Sequence, residues 1–328
     1  MNKKRFLIIA LFFILLIISL LIGVSNSVTI GALLKGDKNA WFIFLESRVP
    51  RTLVIVLTAS SLSIAGLIMQ AISRNKFISP STAGTTNAAV LGVLIGFLFF
   101  GTQSLYIRFI FAFVFALLSS ILFITVLNKI KVKNVIYVPL IGMMYGTLIS
   151  SITTLIAQRF NALQTVSMLN LGSFSHITRL NSTLLIVLIP SLVLAVIFAS
   201  QFNIVSLGED FSKNLGVNYK RIMFIGLIVI SVISASTYIV VGPLPFLGLI
   251  IPNIVTVYYG DNLKRNLFDV AIFGATFVLL NDIISRLLIF PYEISVGFTM
   301  GISGAIIFLI LIFRKVKQKW VKNKRKCF

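Results

Sequence analysis

The sequence predicts an all-α polytopic membrane protein with about ten transmembrane helices and both termini in the cytoplasm. Of the 328 residues, 58% are hydrophobic and 11% are charged, whereas soluble domains are roughly 45–50% apolar and about 25% charged. The mean hydropathy is +1.05. Apolar runs of about 20 residues, long enough to cross the core of a bilayer, recur along the whole chain. We therefore treat residues 1–328 as a single transmembrane domain.

The apolar runs define the predicted helices in order. The first, 6–23, follows a basic segment and exceeds the roughly 7–15-residue core of a signal peptide, so it predicts a retained helix. The other predicted spans are 52–71, 82–101, 109–128, 134–157, 180–204, 222–241, 244–259, 268–290 and 294–313. Only 268–290 contains charged residues, which are Asp269, Asp282 and Arg286.

Glycine and proline cluster at the start of the eighth span, at Gly242, Pro243, Pro245, Gly248 and Pro252. Unpaired backbone cannot face lipid, so such a cluster predicts a broken or re-entrant segment that lines a cavity. The candidate pathway residues are Ser150, Ser151, Gly242, Pro243 and Pro245. For the two serines, packing between helices is an equally good interpretation.

The distribution of basic residues supports this count of spans. With a cytoplasmic N-terminus, 21 of the 29 Lys and Arg residues fall on the inner side and seven on the outer side, while Arg286 lies within a span. Cytoplasmic loops of membrane proteins carry this excess of positive charge. Eight of the inner residues lie in the basic tail, 314–328. The placement accounts for most of the formal charge of +21 without a nucleic-acid partner.

One polar segment, 201–221, separates the sixth and seventh spans and carries both signs of charge. Its two Leu-Gly pairs are eight residues apart, which is about two helical turns. Glycine commonly follows the end of a helix, so the spacing predicts two short helices joined by a glycine turn. We interpret the segment as a contact site for a partner protein. Its candidate contact residues are Leu207, Gly208, Glu209, Asp210, Leu215 and Gly216.

The sequence argues against catalysis by this chain. It has neither a P-loop nor a Rossmann glycine pattern. One His, one Cys and eight acidic residues do not assemble into a convincing metal cluster or nucleophile–base pair. We predict no catalytic residue, no metal site and no cofactor. If this membrane chain moves a solute, the energy must therefore come from another chain or from an ion gradient. For an ion gradient, Asp282 is the candidate coupling residue, because such transporters place a titratable group within the membrane.

Five motifs occur in a specific order along nearly the whole chain. They are Arg48-Val49-Pro50-Arg51; the small-residue stretch 63–70 with Arg74-Asn75, Pro80 and Gly84; the two Leu-Gly pairs of 201–221; the run 242–252; and Asp282 with Arg286 followed by Glu293 with Gly297. In this order and spacing they resemble the FecCD family of ABC-transporter permeases, whose members import ferric siderophores, haem and vitamin B12.

The resemblance implies a set of partners in a bacterial cell membrane. It implies two cytoplasmic ATP-binding subunits that contact 201–221, a second permease subunit, either identical or a paralogue, and an extracytoplasmic siderophore-binding lipoprotein. It also implies that Arg48, Arg51 and Arg286 form salt bridges with the lipoprotein, because the planar guanidinium pairs carboxylates in a bidentate manner. For Arg286, an internal pair with Asp282, four residues earlier, competes with that role.

Three departures from the family pattern narrow the substrate. They are Asn253 after Pro252, the sequence Lys76-Phe77-Ile78 before Pro80, and Gly304-Ala305-Ile306 near the C-terminus. With the segments 259–262 and 291–294, they resemble the branch that serves catecholate siderophores such as petrobactin, or anguibactin. The resemblance therefore implies import of an Fe(III)-siderophore. The alternatives are an ion-coupled secondary transporter and an importer of haem or vitamin B12.

Overall fold

The computed structural model describes residues 3–23, 31–32, 35–101, 105–130, 137–177 and 185–324. Within these ranges the regular elements are helices, and the only β-type contact there is an isolated bridge between Ile289 and Tyr292. The helices are α1 (Lys3–Leu21), α2 (Lys38–Ile72), α3 (Thr85–Phe100), α4 (Leu105–Ile130), α5 (Tyr137–Arg159), α6 (Leu163–Leu169), α7 (Leu188–Ile197), α8 (Ala199–Val205), α9 (Glu209–Asn214), α10 (Tyr219–Val241), α11 (Leu247–Tyr259), α12 (Leu263–Leu287) and α13 (Val296–Lys324).

Helix α2 begins earlier than the sequence predicts. The expected span starts at residue 52, but the helix starts at Lys38 and passes through a π-helical turn at Phe44–Arg48. Pro50 explains this turn, because proline has no N–H for the preceding turn and its ring collides with the carbonyl four residues earlier. A wider π turn accommodates such a disruption. As a result, Arg48 and Arg51 lie inside a continuous helix and not before it.

Helices α2, α10 and α12 form the interior of the molecule. In the apolar stretch of α2, 78% of the residues are buried, whereas in α5 only 22% are. Small residues permit the closest contacts. Gly66 of α2 lies against Gly248 of α11, and Gly274 of α12 lies against Ser63 of α2, so a Cβ atom at any of these glycines would collide with or crowd neighbouring atoms.

Two of the predicted spans are broken. Helices α7 and α8 meet at an angle of 61°. Before α11, the chain leaves α10 at Gly242 (φ 89°) and re-enters a helix at Phe246 (φ 64°), as the glycine and proline cluster predicts. Pro252 lies inside α11 and cannot donate to the carbonyl of Gly248. The amide of Gln70 in α2 lies 3.5 Å from that oxygen and 3.3 Å from the carbonyl oxygen of Leu249, and so replaces the missing donor.

The described helices occupy the ten predicted segments. By length and composition, five of them can cross a membrane unaided, or six if α7 and α8 count as one span. The other four segments hold shorter apolar helices, Arg5–Leu21, Thr85–Phe100, Leu247–Tyr259 and Val296–Leu311. The protein is thus all-helical with several apolar spans, and ten membrane crossings stay a prediction. Helix α13 continues past residue 313 into the basic tail, of which 325–328 lie outside the described residues.

Candidate functional site

A cluster of five charged residues, four of them buried, lies at one end of the helix bundle. We call Arg48, Arg51, Asp282, Arg286 and Glu293 the arginine cluster. The Nη1 atom of Arg51 donates to both carboxylate oxygens of Glu293, at 2.9 Å to Oε1 and 2.8 Å to Oε2. The Nη2 atom of Arg51 lies 2.7 Å from Oδ1 of Asp282. Arg286, one turn after Asp282 on α12, binds Oδ2 of the same carboxylate. Both oxygens of Asp282 are therefore engaged, and its side chain is fully buried.

Two guanidiniums of the cluster also cap the C-terminal end of α1. Arg286 donates to the carbonyl oxygens of Ser19 at 3.0 Å and Ile22 at 2.8 Å. Arg48 donates to the carbonyl oxygens of Leu20 and Leu21. The last carbonyls of a helix have no partner within the helix and carry partial negative charge. The cluster thus ties α1, α2, α12 and the segment before α13 together.

These contacts bear on the two interpretations of Arg286. The internal pair between Asp282 and Arg286, which the sequence left open, is present. Arg48, Arg51 and Arg286 are 6%, 9% and 4% exposed and have partners inside the chain. Docking of another protein on these three residues stays a prediction. It requires at least one of them to exchange its present partner for an external carboxylate.

The opposite end of the bundle carries the 201–221 segment. The Leu-Gly spacing predicts two short helices: α9 lies wholly in the segment, whereas α8 begins at Ala199, within the predicted sixth span. Each helix is followed by a glycine with positive φ, Gly208 at 116° and Gly216 at 73°. The hydroxyl of Ser212 donates to the carbonyl of Gly208 at 2.6 Å, and Ser212 is fully buried, so α9 is anchored at its base.

Three large apolar side chains of this segment are exposed to solvent. Leu207, Phe211 and Leu215 are 58%, 63% and 59% exposed. Phe211 lies within α9, whereas Leu207 and Leu215 flank it, and we call these three exposed residues the apolar stripe. Phe211 was missed by the sequence reasoning, although the recurrence of large apolar residues at every fourth position was a usable signal.

A charged pair lies on the same short helix. Nζ of Lys213 is 2.9 Å from Oε1 of Glu209, one turn earlier. This hydrogen bond lowers the pKa of Glu209 and raises the pKa of Lys213 from their ordinary values. Asp210 is exposed beside the pair. The segment therefore presents an apolar stripe next to fixed charges, which suits recognition by a soluble protein in one orientation.

Two adjoining cavities lie between α3, α5, α10 and the break before α11. The larger, of about 350 Å³, is lined by the break itself, including Gly242, Pro243 and Pro245. The smaller, of about 110 Å³, is lined by Ser150 and shares Pro243 with the larger. Ser151 is not among the residues around either cavity; it is exposed, and its hydroxyl donates to the carbonyl of Thr147 at 3.0 Å.

The linings of both cavities are neutral. Around the smaller one, the Nδ2 atom of Asn87 lies 2.9 Å from Oγ of Ser150, and the hydroxyl of Tyr238 donates to Oδ1 of Asn170 at 2.7 Å. None of the described residues that surround the two cavities is charged. The larger cavity is lined mainly by apolar side chains, such as Leu62, Met143 and Leu244, whereas the smaller one has a mixed polar and apolar lining.

Known proteins resemble this chain over nearly its whole length. A model of the FecCD transport family matches residues 7–314. The chain is 46% identical over 313 residues to the petrobactin import system permease protein YclN of Bacillus subtilis (strain 168), covering 95% of this chain and 98% of that protein. It is 35% identical over 312 residues to the ferric-anguibactin transport system permease protein FatD of Vibrio anguillarum, with coverage of 95% and 99%.

A solved structure shares the fold. A metal-chelate type ABC transporter in an inward-facing conformation superposes with a TM-score of 0.77 at 24% identity, covering 96% of this chain and 100% of that one. The helices, their breaks and the family match along the sequence lead to one conclusion. The chain belongs to the FecCD transport family.

Proposed function

We propose that this chain is the permease subunit of an ABC importer that carries an Fe(III)-siderophore, of catecholate type, across a bacterial cell membrane. The observation that carries the proposal is the match over nearly the full length to petrobactin and anguibactin permeases. The chain provides a route through the membrane and performs no chemistry on the substrate. ATP hydrolysis on a separate chain drives the change between inward-open and outward-open states.

The proposal includes a topology of ten crossings with both termini in the cytoplasm. In this arrangement the arginine cluster lies at the extracytoplasmic side and the 201–221 segment at the cytoplasmic side. The bias of basic residues toward the second side supports it. Helices α2 and α12 run antiparallel, so Arg51 meets Asp282 at one end of the bundle and Lys76 meets Asp261 at the other. Leu207 of the 201–221 segment lies around the same cavity as Lys76 and Asp261, at the end opposite the arginine cluster.

The proposed partners follow from the surfaces at these two ends. Two ATP-binding subunits contact the 201–221 segments of two permease chains, one segment each, through the apolar stripe Leu207, Phe211 and Leu215. A siderophore-binding lipoprotein docks at the arginine cluster, where Arg51 becomes available when a partner carboxylate replaces Glu293, whose side chain is 16% exposed. Normal binding of the loaded lipoprotein by an Arg51→Glu chain would rule out this docking role.

Energy coupling provides the direct test. Iron-starved cells, or vesicles that contain this chain, are supplied with radioactive ferric petrobactin on the outside. The initial rate of uptake is then measured in the presence of vanadate and, separately, of an uncoupler. We expect vanadate to stop uptake and the uncoupler to leave the initial rate in ATP-loaded vesicles unchanged. A tagged chain should also purify with an ATP-binding subunit. The opposite inhibitor pattern, together with a chain that purifies alone, would overturn the proposal.

An ion-coupled secondary transporter remains the second candidate, and its coupling residue would be Asp282. In the described structure both carboxylate oxygens of Asp282 are bound by arginines, and its side chain has no exposed surface. A coupling carboxylate must exchange its ion with water on each side in turn. The geometry therefore favours a structural role for Asp282 and the ATP-driven importer.

A further inference from the structure

The 169–173 segment, which follows α6, is packed against two other parts of the chain. The carbonyl oxygen of Gly172 accepts two hydrogen bonds, from Oγ of Ser295 at 2.6 Å and from the backbone N–H of Gly297 at 3.0 Å. A Cβ atom at Gly172 would overlap the carbonyl oxygen of Pro243 and would lie 3.4 Å from Cα of Gly297. Gly172 therefore fits between the break before α11 and the start of α13, with no room for a side chain.

The same segment borders the two cavities described above. Asn170 lines the smaller cavity, and Pro243, against which the segment packs, lines both. The N–H of Ser173 donates to the carbonyl oxygen of Val241, at the end of α10, at 2.9 Å. The 169–173 segment thus lies across the end of both cavities that is nearest the arginine cluster.

A short connection joins this contact to the arginine cluster. Glu293, which is held by Arg51, lies two residues before Ser295. Between them, the N–H of Ile294 donates to the carbonyl oxygen of Ser285 at 3.1 Å. Two residues of extended chain span at most about 7 Å, so Glu293 cannot move far without moving Ser295. The ion pair at one end of this connection and the hydrogen bond at the other are therefore linked.

We propose that residues 293–297 form a latch that couples docking at the arginine cluster to opening of the two cavities on the extracytoplasmic side. The proposal rests on the proposed function. A carboxylate that approaches Arg51 repels Glu293, because like charges at close range disfavour each other. Glu293 then withdraws and the latch moves with it. Gly172 loses both of its hydrogen bonds, and the 169–173 segment is released from the cavities.

The strength of the latch suits this role. Two hydrogen bonds, each competing with bonds to water, favour the closed arrangement by roughly 10- to 100-fold. A docking partner opens the latch when it binds the released arrangement more tightly by a factor of that size. The contact therefore holds the cavities closed in the absence of the partner and yields when the partner binds.

The test widens the contact at Gly172 and measures access to the cavities. Thr86, which lines both cavities, is replaced by cysteine in a Cys327→Ser background. A membrane-impermeant maleimide is added outside cells that contain the tagged chain and its partner subunits. Gly172→Ala is compared with Gly301→Ala, where an added Cβ meets nothing within 4 Å. We expect labelling to be roughly tenfold faster in Gly172→Ala, as the loss of its hydrogen bonds predicts, and unchanged in Gly301→Ala.

The effect of the lipoprotein tests the coupling itself. Saturating loaded lipoprotein should speed labelling of the Thr86→Cys chain by a similar factor and should add little to Gly172→Ala. Ser295→Ala removes one of the two hydrogen bonds without adding volume and should give an intermediate rate, so the latch is tested even where Gly172→Ala fails to fold.

Two results would overturn the latch. One is equal labelling in Gly172→Ala, Ser295→Ala and the Gly301→Ala control. The other is lipoprotein that binds the chain but leaves the labelling rate unchanged. If the native complex neither binds the lipoprotein nor takes up a ferric chelate, the proposed function itself fails, and the Gly172 and Ser295 variants still test whether the latch closes the cavities.

Discussion

At the scale of single residues, Asp282 is the centre of the arginine cluster. Each of its two oxygens is bound by a different guanidinium, Arg51 from α2 and Arg286 from α12. Removal of the charge from a buried ion network leaves the opposite charges unpaired and typically costs about 3–5 kcal/mol. Exposed ion pairs contribute only about 0–1 kcal/mol. This chain contains a buried network at Asp282 and an exposed ion pair between Lys76 and Asp261, so the two kinds of interaction can be compared directly.

We predict that Asp282→Asn lowers the free energy of unfolding by about 3–5 kcal/mol, because Arg51 and Arg286 would remain buried with one carboxylate, Glu293, between them. The matched control is Asp261→Asn, which breaks the pair with Lys76, where the side chains are 65% and 46% exposed. Thermal unfolding in detergent measures both. Equal melting temperatures for the two variants would show that the cluster does not hold the helices together.

At the scale of elements, α9 is a six-residue helix that exposes Phe211 beside the charged Asp210 and Lys213. Isolated helices of this length are unstable in water, so it is held by its surroundings, through the buried Ser212 and the turns at Gly208 and Gly216. Exposed apolar patches commonly mark contact sites. Phe211 has the largest apolar side chain of this stripe and is its expected anchor, since aromatic residues dominate binding energy at interfaces.

We predict that Phe211→Ala weakens binding of the ATP-binding subunit by at least about tenfold, as expected for an aromatic anchor at an interface. Asn214→Ala is the control, because Asn214 is exposed on the same helix but has a small polar side chain. Co-purification and titration with the ATP-binding subunit measure the effect. Unchanged affinity for the Phe211 variant would exclude this face as the contact.

At the scale of the whole molecule, the two ends of the bundle differ in character. One end buries charges in the arginine cluster, and the other exposes the 201–221 segment. An importer needs this asymmetry, since substrate arrives on one side of the membrane and ATP is hydrolysed on the other. The assignment of each end to a side depends on the number of crossings.

The single cysteine makes the topology accessible to labelling. The chain has only Cys327, so Cys327→Ser provides a background for Asn214→Cys and Tyr292→Cys. Ten crossings place residue 292, which is 76% exposed, outside the cell and residue 214 inside. We predict that a membrane-impermeant maleimide labels residue 292 in intact cells, and residue 214 or the native Cys327 only after permeabilisation. Labelling of 214 and 292 from the same side would disprove the topology.

Much of the candidate site could be predicted because its signals are local. The spacing of the Leu-Gly pairs in 201–221 predicted two short helices, of which α9 lies between the pairs and α8 begins earlier, at Ala199. Gly242, Pro243 and Pro245 were placed at a cavity because their backbone cannot continue a helix. Of the two candidate serines, Ser150 lines a cavity and Ser151 does not, since both orientations are compatible with the same hydrophobic pattern.

The sequence by itself determined the all-helical membrane class, the apolar segments, the break before α11 and the family. These properties depend on composition, on period and on residues close together in the chain. The tertiary structure alone decided the partners of the arginines, because Arg51 meets Asp282 and Glu293 across 231 and 242 residues. Contacts at such separations arise from the packing of helices, and no local pattern records them.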